Sequence, residues 1–109
     1  MLAGVPEITP QEVKKMMDAK RSFVLIDVRE PHEFQICRIP GSVLIPLGEV
    51  PRRMNELNSA DEIVVHCRSG QRSARAVELL IKAGFRKIYN LKGGILAWSD
   101  QVDPSVAKY

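Results

Sequence analysis

The chain predicts an α/β fold: one domain with a mostly parallel central sheet flanked by helices. Three observations carry this expectation. Residues 23–26 and 63–66 are apolar runs of strand length, the pattern of strands buried on both faces. Segments with helical spacing of apolar residues alternate with these runs, which favours parallel strands joined by helical crossovers. Asp27 and Cys67 stand at the carboxyl ends of the two runs, where sheets of this kind place their ligands.

The elements follow in order. Thr9 is an N-cap, Pro10 sits at N1, and Glu12 at N3 closes a capping box. Val13, Met16 and Met17 form the buried stripe of the short helix that follows. After the strand at 23–26, Asp27 to Pro31 ends the run, and residues 31–34 predict a brief helical turn. Residues 39–42 predict a turn and residues 43–45 a short strand stopped by Pro46. Leu47, Val50, Met54 and Leu57 mark a helix with Pro51 near its start or at a break. The strand at 63–66 leads through a loop to a helix from about Ser73, ending at Ala83 with Gly84 in the left-handed C′ position. Residues 87–90 predict a strand. Gly93 and Gly94 form a flexible turn into a final helical segment carrying Ile95, Leu96 and Trp98. The expected boundaries are one domain over 1–109, with a core from about 5 to 100 and a C-terminal tail over 101–109.

Composition narrows the class. The length of 109 residues suits one domain with one core. Sixteen basic against thirteen acidic residues leave a charge of only +3, and aromatic residues are few, so no nucleic-acid surface is expected. No apolar stretch approaches a membrane span, and no charged segment followed by an apolar one opens the chain as a signal peptide would. Cys37 and Cys67 lie in unlike contexts and make neither a disulfide framework nor a metal site. The expected compartment is the reducing cytoplasm.

The segment Cys67, Arg68, Ser69, Gly70, Gln71, Arg72 holds most of the functional information. It joins a buried strand to a helix N-terminus, where loop N–H groups and the helix dipole favour negative charge. Two arginines add fixed positive charge, and the glycine permits close backbone approach. A cysteine placed there is expected to react as a thiolate.

Over nearly its whole length the chain resembles the rhodanese-like (sulfurtransferase) domain. The matching pieces are Asp27-Val28-Arg29-Glu30, Glu33-Phe34, Ile39-Pro40-Gly41-Ser42 with Ile45-Pro46, the loop Cys67 to Ser73, Gly84-Phe85, and Leu91-Lys92-Gly93-Gly94-Ile95 with Trp98. The resemblance implies that Cys67 takes a sulfane sulfur from thiosulfate or a persulfide donor, becomes a persulfide, and passes the sulfur to a thiophilic acceptor. No cofactor is implied beyond that covalent intermediate. A narrower resemblance, carried by residues 34–40, Trp98, 102–105 and 108–109, is to the C-terminal rhodanese domain of E1-like adenylyltransferase/sulfurtransferases. It implies a ubiquitin-like sulfur carrier as acceptor, its C-terminus converted to a thiocarboxylate. The adenylating domain is absent, so the chain reads as an excised domain or a stand-alone relative.

Roles follow from this resemblance and from residue chemistry. Arg68 is expected to face solvent and an anionic substrate, and Arg72 to brace the loop through a carboxylate such as Asp27 or Glu33. Ser69, Gly70 and Gln71 matter through their backbone N–H groups. Asp27 and Arg29 are supporting residues that hold the rim of the cradle. Cys37 reads as a lone half-buried cysteine rather than a resolving thiol. His66 reads as facing a strand neighbour rather than as a base, which thiolate attack on a sulfur–sulfur bond does not need. His32 is expected to be exposed, and Lys82, Arg86 and Lys87 to form a solvated face.

Two other functions compete. A cysteine phosphatase resembles the strand-Cys-loop-Arg pattern, but its arginine stands one residue further from the cysteine, where this chain has Ser73. A non-catalytic interaction module shares the fold, but many such domains have lost the cysteine.

Overall fold

The computed structural model describes residues 4–109. Five strands form one parallel sheet in the order β1-β5-β4-β2-β3. These are β1 (Glu7–Ile8), β2 (Val24–Asp27), β3 (Val43–Leu44), β4 (Ile63–His66) and β5 (Ile88–Leu91). The helices are α1 (Pro10–Asp18), α2 (Pro31–Ile36), α3 (Val50–Arg53), α4 (Gln71–Lys82) and α5 (Gly94–Gln101). The α/β class with helices flanking a parallel sheet is as the sequence predicts.

β4 is central and wholly buried, and its register with β2 sets Asp27 opposite His66. Side chains alternate across a strand, so β4 feeds two cores. Ile63, Val65 and Cys67 point into one, with Ile26, Ala76, Val77, Leu80 and Phe85. Val64 points into the other, with Val13, Leu25, Ile95 and Trp98. The period of two therefore turns Cys67 toward the α4 face, and its position just past β4 puts it at the sheet's carboxyl edge.

The Thr9 capping box is present: Glu12 N donates to Thr9 Oγ1 at 3.1 Å and Thr9 N to Glu12 Oε1 at 2.9 Å. Gly84 takes a positive φ of 102° past α4, and Phe85 N returns to Leu80 O at 3.0 Å. Several boundaries differ from expectation. β1 is a strand that the sequence does not predict. It is two residues long and is held by β5, with Asn90 N donating to Pro6 O and Lys92 N to Ile8 O. Ile45 lies outside β3, though its N–H still reaches Asp27 O at 2.9 Å. The helix expected over 47–57 is three short pieces: a 3₁₀ turn at Leu47–Glu49, α3, and another 3₁₀ turn at Met54–Glu56. Pro51 lacks the N–H that a longer helix needs. α4 begins at Gln71, earlier than Ser73, because Gly70 at φ 108° turns the chain into the helix at once. Beyond α5 the chain folds back, and Val106 is buried in the Trp98 core.

Candidate functional site

β4 ends at His66, and Cys67 opens the loop to α4. The Cys67 side chain is 1% exposed. Gly70 N–H donates to its Sγ at 3.1 Å and Ser73 N–H at 3.4 Å. Ser73 Oγ lies 3.2 Å from the same sulfur. The first of these donors caps α4 and the second belongs to its first turn. A negative sulfur there meets both N–H groups and the positive end of a helix twelve residues long.

The loop is fixed from behind by α5. Ile95 N donates to Cys67 O at 2.9 Å and Leu96 N to Arg68 O at 3.2 Å. A Cβ on Gly94 would stand 2.4 Å from Arg68 O and 2.6 Å from Cys67 O. Only glycine allows this approach, and Gly94 also takes φ 61°. Reading residues 93–94 as a flexible turn missed this contact.

Asn90 on β5 provides a second anchor. Its Nδ2 donates to Gly70 O at 3.0 Å, and its Oδ1 accepts the Ser73 hydroxyl at 2.5 Å. Ser73 and Asn90 are both buried. Nothing in the sequence pairs Asn90 with a loop so far back in the chain; a polar residue in a buried strand was the one available signal.

Arg72 reaches across to α2. Its Nη1 donates to Glu33 Oε1 at 2.7 Å and its Nη2 to Glu33 Oε2 at 3.0 Å. Those bonds draw the Glu33 carboxyl down to about 2 from its ordinary 4.5. Glu33 is thus the carboxylate that Arg72 meets, because Asp27 is occupied. Arg29 Nε and Nη2 donate to both Asp27 oxygens at 2.8–3.1 Å, and Arg29 Nη2 also donates to Cys37 O at 2.7 Å. Asp27 and Arg29 are completely buried, so they meet their neighbours from the interior of the domain. A paired guanidinium and carboxylate tolerate an interior where either alone would not. The pair ties the end of β2 to the chain leaving α2.

The remaining loop residues Arg68, Ser69 and Gln71 are exposed, and among the described residues Arg68 forms no salt bridge. His66 is buried on the Asp27 side, with Nε2 3.7 Å from Asp27 Oδ2 and Nδ1 3.4 Å from Cys67 O. Burial pushes it down to about 4 from 6.5, so it is neutral at pH 7. It meets the cysteine's carbonyl and makes no hydrogen bond to Sγ. Cys37 donates to Ala107 O at 3.3 Å, and both cysteines are free thiols. His32, Lys82, Arg86 and Lys87 are exposed.

A cavity of about 380 Å³ borders the loop, lined by Gly70, Gln71, Ala74 and Asn90 with Gly4, Val5 and Glu7. A larger one of about 540 Å³ lies between α1 and β5 and includes no loop residue. No group of three or more His, Cys, Asp or Glu among the described residues is placed to hold a metal. No helix among them is long and apolar enough to cross a membrane.

Known proteins are similar to this chain in sequence and in fold. A putative sulfur carrier protein of Bacillus subtilis, YrkF, is 42% identical over 101 residues, covering 93% of this chain and 55% of its own length. The probable adenylyltransferase/sulfurtransferase MoeZ of Mycobacterium tuberculosis is 38% identical over 104 residues, 94% of this chain and 26% of its own. This chain therefore spans about half or less of those two relatives. A sulfurtransferase of Allochromatium vinosum is 34% identical across 94% of this chain and 96% of its own. Among solved structures, a rhodanese-related protein of Thermoplasma volcanium superposes with a TM-score of 0.82 at 31% identity, over 95% of this chain and 99% of its own. The family model described as the rhodanese-like domain matches residues 9–101, from the cap of α1 to the end of α5. With a match of that extent, this chain belongs to the family of rhodanese-like domains.

Proposed function

We propose that the protein is a rhodanese-type sulfurtransferase in which Cys67 carries the transferred sulfur as a persulfide. The observation that carries this reading is the setting of Cys67 Sγ, which accepts N–H groups from Gly70 and Ser73 at the start of α4. Thiosulfate supplies the sulfur as follows. The thiolate attacks the outer sulfur, the donor's sulfur–sulfur bond breaks, and sulfite leaves with the electron pair. The outer sulfur of the new persulfide carries the negative charge, which further N–H groups of the loop and the positive charge of Arg68 would stabilise. An acceptor nucleophile then takes that sulfur and returns the pair to Cys67 Sγ. No cofactor enters, and the proposed setting is the cytoplasm, where a free thiol persists.

The donor class is a small sulfur anion or a persulfide on a partner protein, drawn by the exposed charge of Arg68. The proposed physiological acceptor is a ubiquitin-like sulfur carrier activated elsewhere as an acyl-adenylate, whose slim C-terminal tail suits a sulfur at the floor of a narrow loop. There the outer persulfide sulfur attacks the acyl carbon and AMP leaves. A thiol then attacks Cys67 Sγ and the thiocarboxylate departs with the electron pair, and a second thiol reduces the mixed disulfide left on Cys67. Two relatives support it through their names, one a putative sulfur carrier protein and the other an adenylyltransferase/sulfurtransferase. The bidentate Arg72–Glu33 pair weighs against phosphatase chemistry, since it ties up the loop arginine nearest to Ser73, the position where a phosphatase has its own. The test is release of thiocyanate from thiosulfate and cyanide. Thiocyanate from the wild type supports the reading, and its absence with every sulfur donor leaves a non-catalytic module.

A further inference from the structure

The Ser73 hydroxyl sits between two atoms that compete for its one proton. Cys67 Sγ is 3.2 Å away and Asn90 Oδ1 is 2.5 Å away. A carboxamide oxygen has no proton to give, so the contact with Asn90 uses the proton of Ser73. Turning the amide round does not relieve this. Its Nδ2 donates to Gly70 O at 3.0 Å, and the reversed amide would set two acceptors against each other. Ser73 therefore shows lone pairs to the sulfur. The sulfur species that matches is the neutral thiol, donating S–H to Ser73 Oγ.

A thiolate calls for the other arrangement. If the hydroxyl rotates onto Sγ, the sulfur gains a third donor beside the N–H groups of Gly70 and Ser73, and Asn90 Oδ1 loses its own. We propose that Ser73 is a positioning residue whose proton swings to Cys67 Sγ when that sulfur becomes charged, and that Asn90 restrains the swing by holding the proton in the resting state. Ser73 supports the reactive thiolate, and Asn90 opposes it.

This inference rests on Cys67 as the nucleophile and deepens that reading. In sulfur transfer, charge leaves Sγ as the persulfide forms and returns as the acceptor departs with the outer sulfur. The proton would swing back to Asn90 after the first half-reaction and onto Sγ in the second. Both transition states place partial charge on Sγ, so both draw on Ser73.

The test uses the full chain in a Cys37→Ser background and a small sulfur electrophile, methyl methanethiosulfonate. Cys67 Sγ attacks its methylthio sulfur, the sulfur–sulfur bond breaks, and methanesulfinate leaves with the pair. The rate is followed by intact mass at neutral pH, beside the melting temperature of each variant. Ser73→Ala should slow modification about tenfold to a hundredfold, the range of one hydrogen bond to a charged group. Asn90→Ala should speed it, because the proton is released to Sγ, and should have no accelerating effect once Ser73 is Ala. Unchanged rates in Ser73→Ala overturn the proposal, and so does an inert wild-type Cys67. If Ser73→Ala fails to fold, the sign in Asn90→Ala decides: faster supports the proposal, slower overturns it. The outcome is separate from sulfur transfer. A protein that yields no thiocyanate yet shows these opposite signs loses the sulfurtransferase reading and keeps this one.

Discussion

Gly94 lies so close to Arg68 that one added methyl group would stand 2.4 Å from the Arg68 carbonyl oxygen. The same methyl would stand 2.6 Å from Cys67 O. α5 therefore serves as a template for the loop. Its first free N–H groups take the carbonyls of Cys67 and Arg68, and this fixes where the loop's own N–H groups point.

Gly94→Ala should accordingly abolish most sulfur transfer and lower the melting temperature. Gly84→Ala is the control, since Gly84 also has a positive φ of 102° but a Cβ there meets nothing within 4 Å. It should cost only backbone strain, about 1–2 kcal/mol, and leave turnover intact. Thiocyanate release beside thermal melting separates the two; equal turnover in both variants would refute the template role.

Arg72→Ala should lower stability and activity together, because it strips a buried carboxylate of two of its three hydrogen bonds and leaves only the one from Glu30 N–H. About a third of the Arg72 side chain is exposed, which screens the pair, so the expected loss is about 1–2 kcal/mol. Glu33→Gln should lose less, since the amide still accepts one N–H. Chemical denaturation measures both, and a wild-type midpoint in Arg72→Ala would remove the bracing role.

Acid should destabilise the fold in two windows. The His66 imidazole is held at about 4 by burial, against 6.5 ordinarily. The unfolded chain thus takes a proton near pH 6.5 that the folded chain refuses until about 4, and stability falls as pH drops across that range. Glu33, held at about 2 by Arg72 against 4.5, adds a second loss from about pH 4.5 down. Denaturation midpoints at pH 7, 5 and 3.5 check the sign. Removal of the imidazole in His66→Leu should flatten the upper window, and an unchanged slope there would contradict the assignment.

Cys37→Ser should keep most activity. Its sulfur donates to Ala107 O, which a hydroxyl also does, and persulfide chemistry on Cys67 needs no second thiol. Loss of turnover with an unchanged melting curve would show instead that Cys37 resolves the persulfide.

The strands that carry the site were legible because burial on both faces leaves a plain trace: residues 23–26 and 63–66 admit little else. Thr9 and Glu12 announced α1 through a local motif, and local motifs survive in sequence. β1 was illegible because two residues carry no periodicity; it exists through β5, some eighty residues on. The broken stretch at 47–57 kept helical apolar spacing while Pro51 limited the helix. At the site, the loop from Cys67 to Arg72 was readable as one contiguous segment. Gly94, Asn90 and the choice of Glu33 over Asp27 were not, because each acts across the fold on a partner distant in the chain, and only the register of β4 with β2 and β5 brings those partners together.

Intact mass of the protein after incubation with thiosulfate tests the central claim most directly. Wild type should gain the mass of one sulfur atom, mapped to the Cys67 peptide and released by cyanide. Cys67→Ser should gain nothing while melting like the wild type, since a hydroxyl forms no persulfide and the change in volume is small. A sulfur adduct that persists in Cys67→Ser, or thiocyanate produced at the wild-type rate without Cys67, would contradict the account.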